Sequence, residues 1–118
     1  MNVRLCAPLL AALSLSPLAL ADTPAQRCQD LLESGMRMAG WEQHCQFNAG
    51  VAPALRAAYM QAGCPGIIKD DTVDRTVRQL DAELNGQIQR AGSEAAFCTA
   101  VRPAYEDIVG AMPSSQSR

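Results

Sequence analysis

The residues of this chain whose types could support catalysis are few and scattered. His44 is the only histidine, and Cys45 beside it would be a nucleophile only as a free thiol, whereas we expect it to be oxidised. Without a second imidazole, His44 has no matching metal ligand. Carboxylate pairs can hydrolyse glycosides, but the sequence does not group its candidates, which are Glu33, Glu42, Glu94 and Glu106. We therefore predict no catalytic, metal-ligating or cofactor-binding residue, and a protein that is not an enzyme.

A second group of residues is suited to protein contact. Methionine, aromatic and arginine side chains are enriched where partners dock, and several lie close together in the sequence. The predicted partner surface consists of Met36, Arg37, Met38, Trp41, His44 and Phe47. Arg37 would suit a carboxylate of the partner. The alternative is that Trp41 and Phe47 close the upper end of a helical bundle, and the sequence leaves both interpretations open.

The N-terminus has the features of a secretory signal peptide. Arg4 supplies a positive start, Leu5 to Leu20 is an uncharged apolar run, and Ala19 to Ala21 forms a small-x-small cleavage site. The run is short and contains two prolines, so we expect cleavage after Ala21 rather than a stable membrane anchor, with an uncut anchor as the alternative. We predict residues 1–21 as the signal peptide and a periplasmic or secreted location.

The cysteines of the remaining chain predict disulfides. Cys6 would be lost with the signal peptide, which leaves four cysteines: Cys28, Cys45, Cys64 and Cys98. An even number in an exported chain of this size is typical of a disulfide framework. A structural zinc site would need closely spaced pairs, and here the cysteines are separated by 16, 18 and 33 residues. We therefore predict two disulfides, for which three pairings exist.

Length and charge limit the domain count and the partner class. Loss of residues 1–21 from a chain of 118 would leave enough residues for one domain and too few for two. We predict a single helical domain at 22–112 and a flexible tail at 113–118. The chain has 12 acidic and 10 basic residues, which argues against a nucleic-acid partner because phosphate binding needs a concentrated basic face.

Four helices are predicted from capping residues and apolar periodicity. The first begins at Thr23-Pro24 with a capping box to Gln26 and ends near Ala39, and 40–50 is a connection. The second runs from about Ala52 to Ala62. The third begins with Asp71 as its cap and carries a continuous apolar stripe, which consists of Val73, Val77, Leu80, Leu84, Ile88 and Ala91. The fourth begins after Ser93 and continues through Pro103 as one kinked helix.

Short links between these helices favour antiparallel neighbours, and this layout ranks the disulfide pairings. The prediction is an all-α, four-helix, up-down bundle-like domain with two disulfides. With the first helix running upward, Cys28 and Cys64 lie at the lower end. Cys45 and Cys98 then lie at the upper end. We therefore prefer the pairs Cys28–Cys64 and Cys45–Cys98 over the other two pairings.

The cysteines of the chain have distinctive neighbours: Phe47 and Gly50 follow Cys45, Pro65 follows Cys64, and an Ala-Ala-Phe run precedes Cys98. In this pattern the chain resembles small periplasmic immunity proteins of the Tai and Rap kind. The resemblance implies a helical, disulfide-stapled, exported protein that binds a cell-wall amidase delivered by type VI secretion. Two segments depart from that pattern: 46–50 lacks the expected Gly-Tyr-Ile-x-Gly type of sequence, and about 20 residues follow Cys98. No binding residue is therefore transferred.

The leading functional hypothesis is an exported, non-enzymatic binding module, with inhibitors and immunity proteins as its natural subclass. It would have a protein partner of unknown identity and no cofactor, and a homodimer is left open. The first alternative is a periplasmic stress or folding helper whose many carboxylates drive loosening in acid. The second is a small hydrolase that uses Glu42 and His44.

Overall fold

The computed structural model describes residues 23–113, which form four α-helices and one short 3₁₀ turn. The helices are α1 (Pro24–Cys45), α2 (Val51–Gln61), α3 (Asp70–Ala91) and α4 (Glu94–Ala111), and the turn Cys64–Gly66 precedes α3. These residues contain no strand, so the predicted all-α, four-helix class is confirmed. The predicted signal peptide and the tail residues 114–118 lie outside the described residues.

Local capping signals at the helix N-termini were predicted correctly in two cases. The Thr23 hydroxyl accepts a hydrogen bond from the Gln26 N–H at 3.0 Å, and the Gln26 side chain accepts one from the Thr23 N–H at 3.0 Å. Ser93 caps α4 in the same way, through the Ala96 N–H. The cap of α3 was predicted wrongly. Lys69 occupies that position. Asp71 lies in the first turn, where its negative charge interacts favourably with the positive end of the helix.

The first helix is longer than predicted because Gly40 does not end it. A Cβ at Gly40 would lie 2.9 Å from Leu84 Cδ2, so the glycine permits a close approach between α1 and α3. The helix continues to Cys45 and ends where Gln46 adopts a left-handed conformation with φ 60°. Trp41 and His44 therefore lie on a helix, not in a connection.

Helix α1 packs against each of the other three helices. It runs parallel to α3, as the cross-helix contacts Gln29–Thr76 and Arg37–Glu83 show by advancing together along both helices. Alternate helices are parallel in an up-down order, which agrees with the prediction. The two parallel helices are nevertheless in direct contact, rather than separated across the diagonal of a closed bundle.

The apolar core is small and divided into two clusters. The lower cluster contains Cys28, Leu32, Cys64 and Ile68, and the upper cluster contains Met38, Phe47, Val51 and Tyr105. Only nine apolar residues of the described chain are buried. A core of this size supplies little stability by itself, so covalent links carry much of the constraint on the fold.

Both predicted disulfides are confirmed. Cys28–Cys64 fastens the lower part of α1 to the turn after α2, and Cys45–Cys98 fastens the last residue of α1 to α4. The first bond is fully buried in the lower cluster, whereas both cysteines of the second are partly exposed. Two disulfides indicate an oxidising compartment, because cytosolic thiols are kept reduced.

We expect removal of either disulfide to lower the free energy of unfolding by about 4 kcal/mol, because each closes a loop of tens of residues. Cys28→Ala with Cys64→Ala should cost about 1 kcal/mol more than Cys45→Ala with Cys98→Ala, since only the former leaves a cavity in the core. Guanidinium unfolding without reductant measures both changes. A larger loss for the Cys45–Cys98 pair would show that burial of Cys28 and Cys64 in the lower cluster adds nothing to the stabilisation by their disulfide.

Two glycines of α1 provide a matched test of helix packing. Gly35→Ala should stabilise the protein by about 1 kcal/mol, because alanine is the better helix former and its Cβ would lie 3.7 Å from Leu55 Cβ, an ordinary contact. Gly40→Ala makes the same change in helix propensity but displaces Leu84, so its gain should be smaller or absent. Equal gains in thermal unfolding would show that Gly40 is not required for the approach of α3.

Candidate functional site

The structure divides the predicted partner surface into three places. Met36, Arg37 and Trp41 line one groove between α1 and α3. Met38 and Phe47 are buried in the upper cluster, where they are 4% and 8% exposed, and so they offer almost no surface to a partner. His44 lies apart, against α4. The groove is therefore the place where most of the accessible residues of that surface come together.

The groove exists because the apolar stripe of α3 is only half covered. None of the six predicted stripe residues is fully buried, and the buried residue of α3 is instead Thr76. Val77, Leu80 and Leu84 form the α3 wall, opposite Met36 and Trp41 on α1. The groove has a volume of about 180 Å³. This is below the roughly 300–1,000 Å³ of small-molecule sites, so it suits an apolar side chain of a larger partner.

Trp41 is the only tryptophan of the chain and forms one end of the groove. Its ring is partly buried and packs against the upper cluster. The indole Nε1 atom is buried and has no hydrogen-bond acceptor among the described residues. A buried donor without an acceptor costs about 1–3 kcal/mol. The apolar contacts of the ring with the upper cluster must offset this cost.

Arg37 is engaged within the chain. Its guanidinium lies 3.3 Å from the Glu83 carboxylate, and both side chains are 38% exposed. An ion pair this exposed contributes at most about 1 kcal/mol. It nevertheless holds Arg37 along the side of the groove and provides a counter-charge for its guanidinium. Arg37 is therefore less available to a carboxylate of the partner than the sequence suggested.

Glu42 caps the N-terminus of α2 from a different helix. Gly50, the residue before α2, has no side chain with which to accept the free N–H groups of the first turn. The Glu42 carboxylate accepts from the Val51 N–H at 2.8 Å and from the Ala52 N–H at 3.4 Å. Its charge is also favourable at the positive end of the helix. Sequence reasoning considered Glu42 only as a catalytic candidate and missed this role.

Tyr105 of α4 completes the same network. Its hydroxyl donates to Glu42 at 2.6 Å and accepts from the Ala49 N–H at 3.1 Å. Burial raises the pKa of Tyr105 to about 12, and the neighbouring carboxylate of Glu42 adds to this increase. The network therefore connects α1, the 46–50 loop and α4. All the observed hydrogen bonds of the Glu42 carboxylate belong to it, so Glu42 has a structural role.

His44 forms a second polar link between α1 and α4. Its Nδ1 atom lies 2.5 Å from the Glu94 carboxylate, next to the Cys45–Cys98 disulfide. Glu42 and His44, the best catalytic candidates of the sequence, thus contact different partners. No group of three His, Cys, Asp or Glu residues within 23–113 is arranged to hold a metal ion.

A shallow depression of about 270 Å³ lies beside the 46–50 loop. The Arg102 guanidinium stacks 4.9 Å above the ring centre of Phe47, which in turn packs against Tyr105 at 4.6 Å. The sequence placed Tyr105 on the apolar side of the fourth helix but gave neither its hydrogen bonds nor a role for Arg102, because both depend on a loop more than 50 residues away. The depression is more open than the α1–α3 groove and has no exposed apolar anchor.

Comparison with protein-family models, with characterised proteins and with solved structures finds no match to this chain. Within the described residues, none of the helices has both the length and the apolar character needed to cross a membrane. The candidate site is thus defined by its own geometry, as an apolar groove between two parallel helices of a disulfide-linked scaffold.

The Tyr105 hydroxyl makes stability depend on alkaline pH. Its pKa is raised in the folded state, so the neutral form is favoured by folding. This stabilisation is complete below pH 10 and is lost as the pH rises towards 12. We expect a loss of about 2–3 kcal/mol across this interval, measured by urea unfolding at fixed pH values.

Two tyrosine variants separate this effect from general alkaline denaturation. Tyr105→Phe should remove the loss, although its stability near pH 7 should be about 1–3 kcal/mol lower because Glu42 and the Ala49 N–H lose a partner. Tyr59→Phe changes the other tyrosine and should retain the full alkaline loss. If Tyr105→Phe followed the pH profile of the unmodified protein, the network would not be its origin.

Proposed function

We propose that this protein is an exported, non-enzymatic binding module that holds a protein partner in the groove between α1 and α3. The observation that supports the proposal is the half-covered apolar stripe of α3, which faces Met36 and Trp41 across the groove. Met36 is 38% exposed, although methionine side chains are usually buried in the protein interior. Apolar side chains that are grouped and accessible are characteristic of docking sites.

A protein partner fits this groove better than other ligand classes. The groove is small for a cofactor or metabolite, and the net charge of −2 disfavours nucleic acid. A protein surface, in contrast, needs only a few anchor side chains in a well-formed depression, surrounded by weaker contacts. Met36 and Trp41 would provide such an anchor point.

The disulfide-linked scaffold supports an inhibitor-like or immunity-like role. A surface that is already ordered loses little conformational entropy when it binds, so more of the contact energy appears as affinity. Cys45–Cys98 is attached only four residues from Trp41 and thereby restricts movement at the end of the groove. The resemblance to periplasmic immunity proteins agrees with this subclass, and the N-terminal signal segment agrees with a periplasmic or secreted location.

The absence of enzymatic activity is proposed from the engagement of the polar groups. The Glu42 carboxylate is shared by two backbone N–H groups and the Tyr105 hydroxyl, and His44 is paired with Glu94. A general base must be free to take a proton from a substrate. Glu42 is committed to these contacts, and the neighbour of His44 in the sequence, Cys45, cannot serve as its nucleophile because its sulfur is in a disulfide.

Two exposed methionines provide a matched test of the binding surface. Met36→Ala should weaken partner binding by at least about fivefold, equivalent to roughly 1 kcal/mol, because it removes an anchor from the groove. Met60→Ala is the control, because Met60 is 58% exposed on α2 and lies outside the groove. The tagged protein is used to capture a partner from periplasmic or culture extract, and the affinities of the purified partner are then measured by calorimetry.

The comparison between the two variants decides the outcome. Both should unfold like the unmodified protein, since neither side chain is in the core. Binding that is unchanged in Met36→Ala, or weakened equally in Met60→Ala, would place the partner elsewhere. Repeated capture experiments that return no partner would argue against a binding module altogether.

A further inference from the structure

We propose that the groove receives a basic amphipathic helix of the partner, with its apolar side chains in the groove and its lysine or arginine residues along α3. This inference rests on the proposed function and specifies the chemistry of the partner. It follows from the placement of charge beside the apolar wall of the groove.

Three aspartates of α3 lie along the outer edge of its apolar stripe. An α-helix turns by about 100° per residue, so Asp70, Asp74 and Asp81 fall within about 40° of arc on one side of the helix. The same periodicity places Val77 and Leu84 directly beside this column, on its groove side. Asp81 itself lines the groove. The apolar wall is therefore bordered by Asp81, and the column continues below the groove to Asp74 and Asp70.

These carboxylates have no cationic partner within residues 23–113. The ion pairs of the two helices are Arg37–Glu83 and Arg75–Asp71, and neither includes a member of the aspartate column. All three aspartates are exposed. Arg78 follows Asp74 by four residues but forms no ion pair with it. A docking partner would therefore meet unpaired negative charge on the α3 side of the groove.

An approaching helix is the partner geometry that matches this arrangement. α1 and α3 are parallel and 22 residues long, so the depression between them is bordered by two long helical ridges. Amphipathic helices dock in such grooves by placing apolar residues spaced three or four apart into the depression. Basic residues on the flank of that helix would lie opposite the aspartate column, which favours association and fixes orientation.

The test uses Trp41 as an intrinsic reporter, because it is the only tryptophan and lies in the groove. Three synthetic, tryptophan-free helical peptides share one leucine face and carry lysine, glutamine or glutamate on the flanking positions. Each is titrated into the whole disulfide-bonded protein while the Trp41 emission is followed. We expect the lysine peptide to bind at least about tenfold more tightly than the glutamate peptide, with a preference that decreases as salt is added.

Two single variants locate the charge effect. Asp81→Asn should weaken binding of the lysine peptide about two- to fivefold and leave the glutamine peptide unchanged. Asp107→Asn is the control, because it makes the same change in net charge. Asp107 is an exposed residue of α4 that lies outside the groove. It should leave all three affinities unchanged.

The possible failures are distinguishable. If the three peptides bind with equal affinity and Met36→Ala weakens them all, the groove binds partners but the inference about charge is wrong. If Asp81→Asn and Asp107→Asn have the same effect, the preference comes from overall charge, and the aspartate column is not its origin. If no peptide changes the Trp41 emission, this inference is overturned, and the capture experiment with Met36→Ala and Met60→Ala separately decides the proposed function.

Discussion

Both disulfides have one cysteine on α1, and these two cysteines lie near opposite ends of that helix. The lower bond fixes the turn after α2, and the upper bond fixes α4. Because α1 also packs against α3, every other helix is held with respect to this one element. The small apolar core needs this arrangement, since the two clusters are separate and neither could by itself hold four helices in register.

At the upper end of the molecule, the free N–H groups at the start of α2 are satisfied by side chains from distant parts of the chain. Gly50 adopts φ 81°, a conformation that favours glycine, and its lack of a side chain leaves the first N–H groups of α2 without a local cap. Glu42 satisfies these groups from α1, and Tyr105 satisfies Glu42 from α4. The consequence is an ordered 46–50 loop in which Phe47 is buried and supports Arg102.

The sequence predicted those features that depend on neighbouring residues or on helix direction alone. The Thr23–Gln26 capping box is local, and the disulfide pairs follow once successive helices run in opposite directions. The extent of α1 was predicted wrongly because glycine usually ends helices, whereas the role of Gly40 is set by Leu84, 44 residues further along. Similarly, Met36 and Met38 differ in exposure only because of where the other helices pack. The Glu42–Tyr105 contact spans 63 residues and leaves no local signal.

The arrangement of the other helices around α1 explains why an apolar groove remains on this disulfide-linked scaffold. α2 has 11 residues, half the length of α1 and α3, and its apolar side is occupied by α1. α2 therefore does not cover the α3 stripe, which packs against α1 and α4, and Gly40 permits a close approach of α1 to α3 beside the groove. In an unlinked protein such a space would tend to collapse, because burial of apolar surface is favourable. The two disulfides anchor α1 near both of its ends, so the α1 wall of the groove has a fixed position, whereas the α3 wall is held by packing alone.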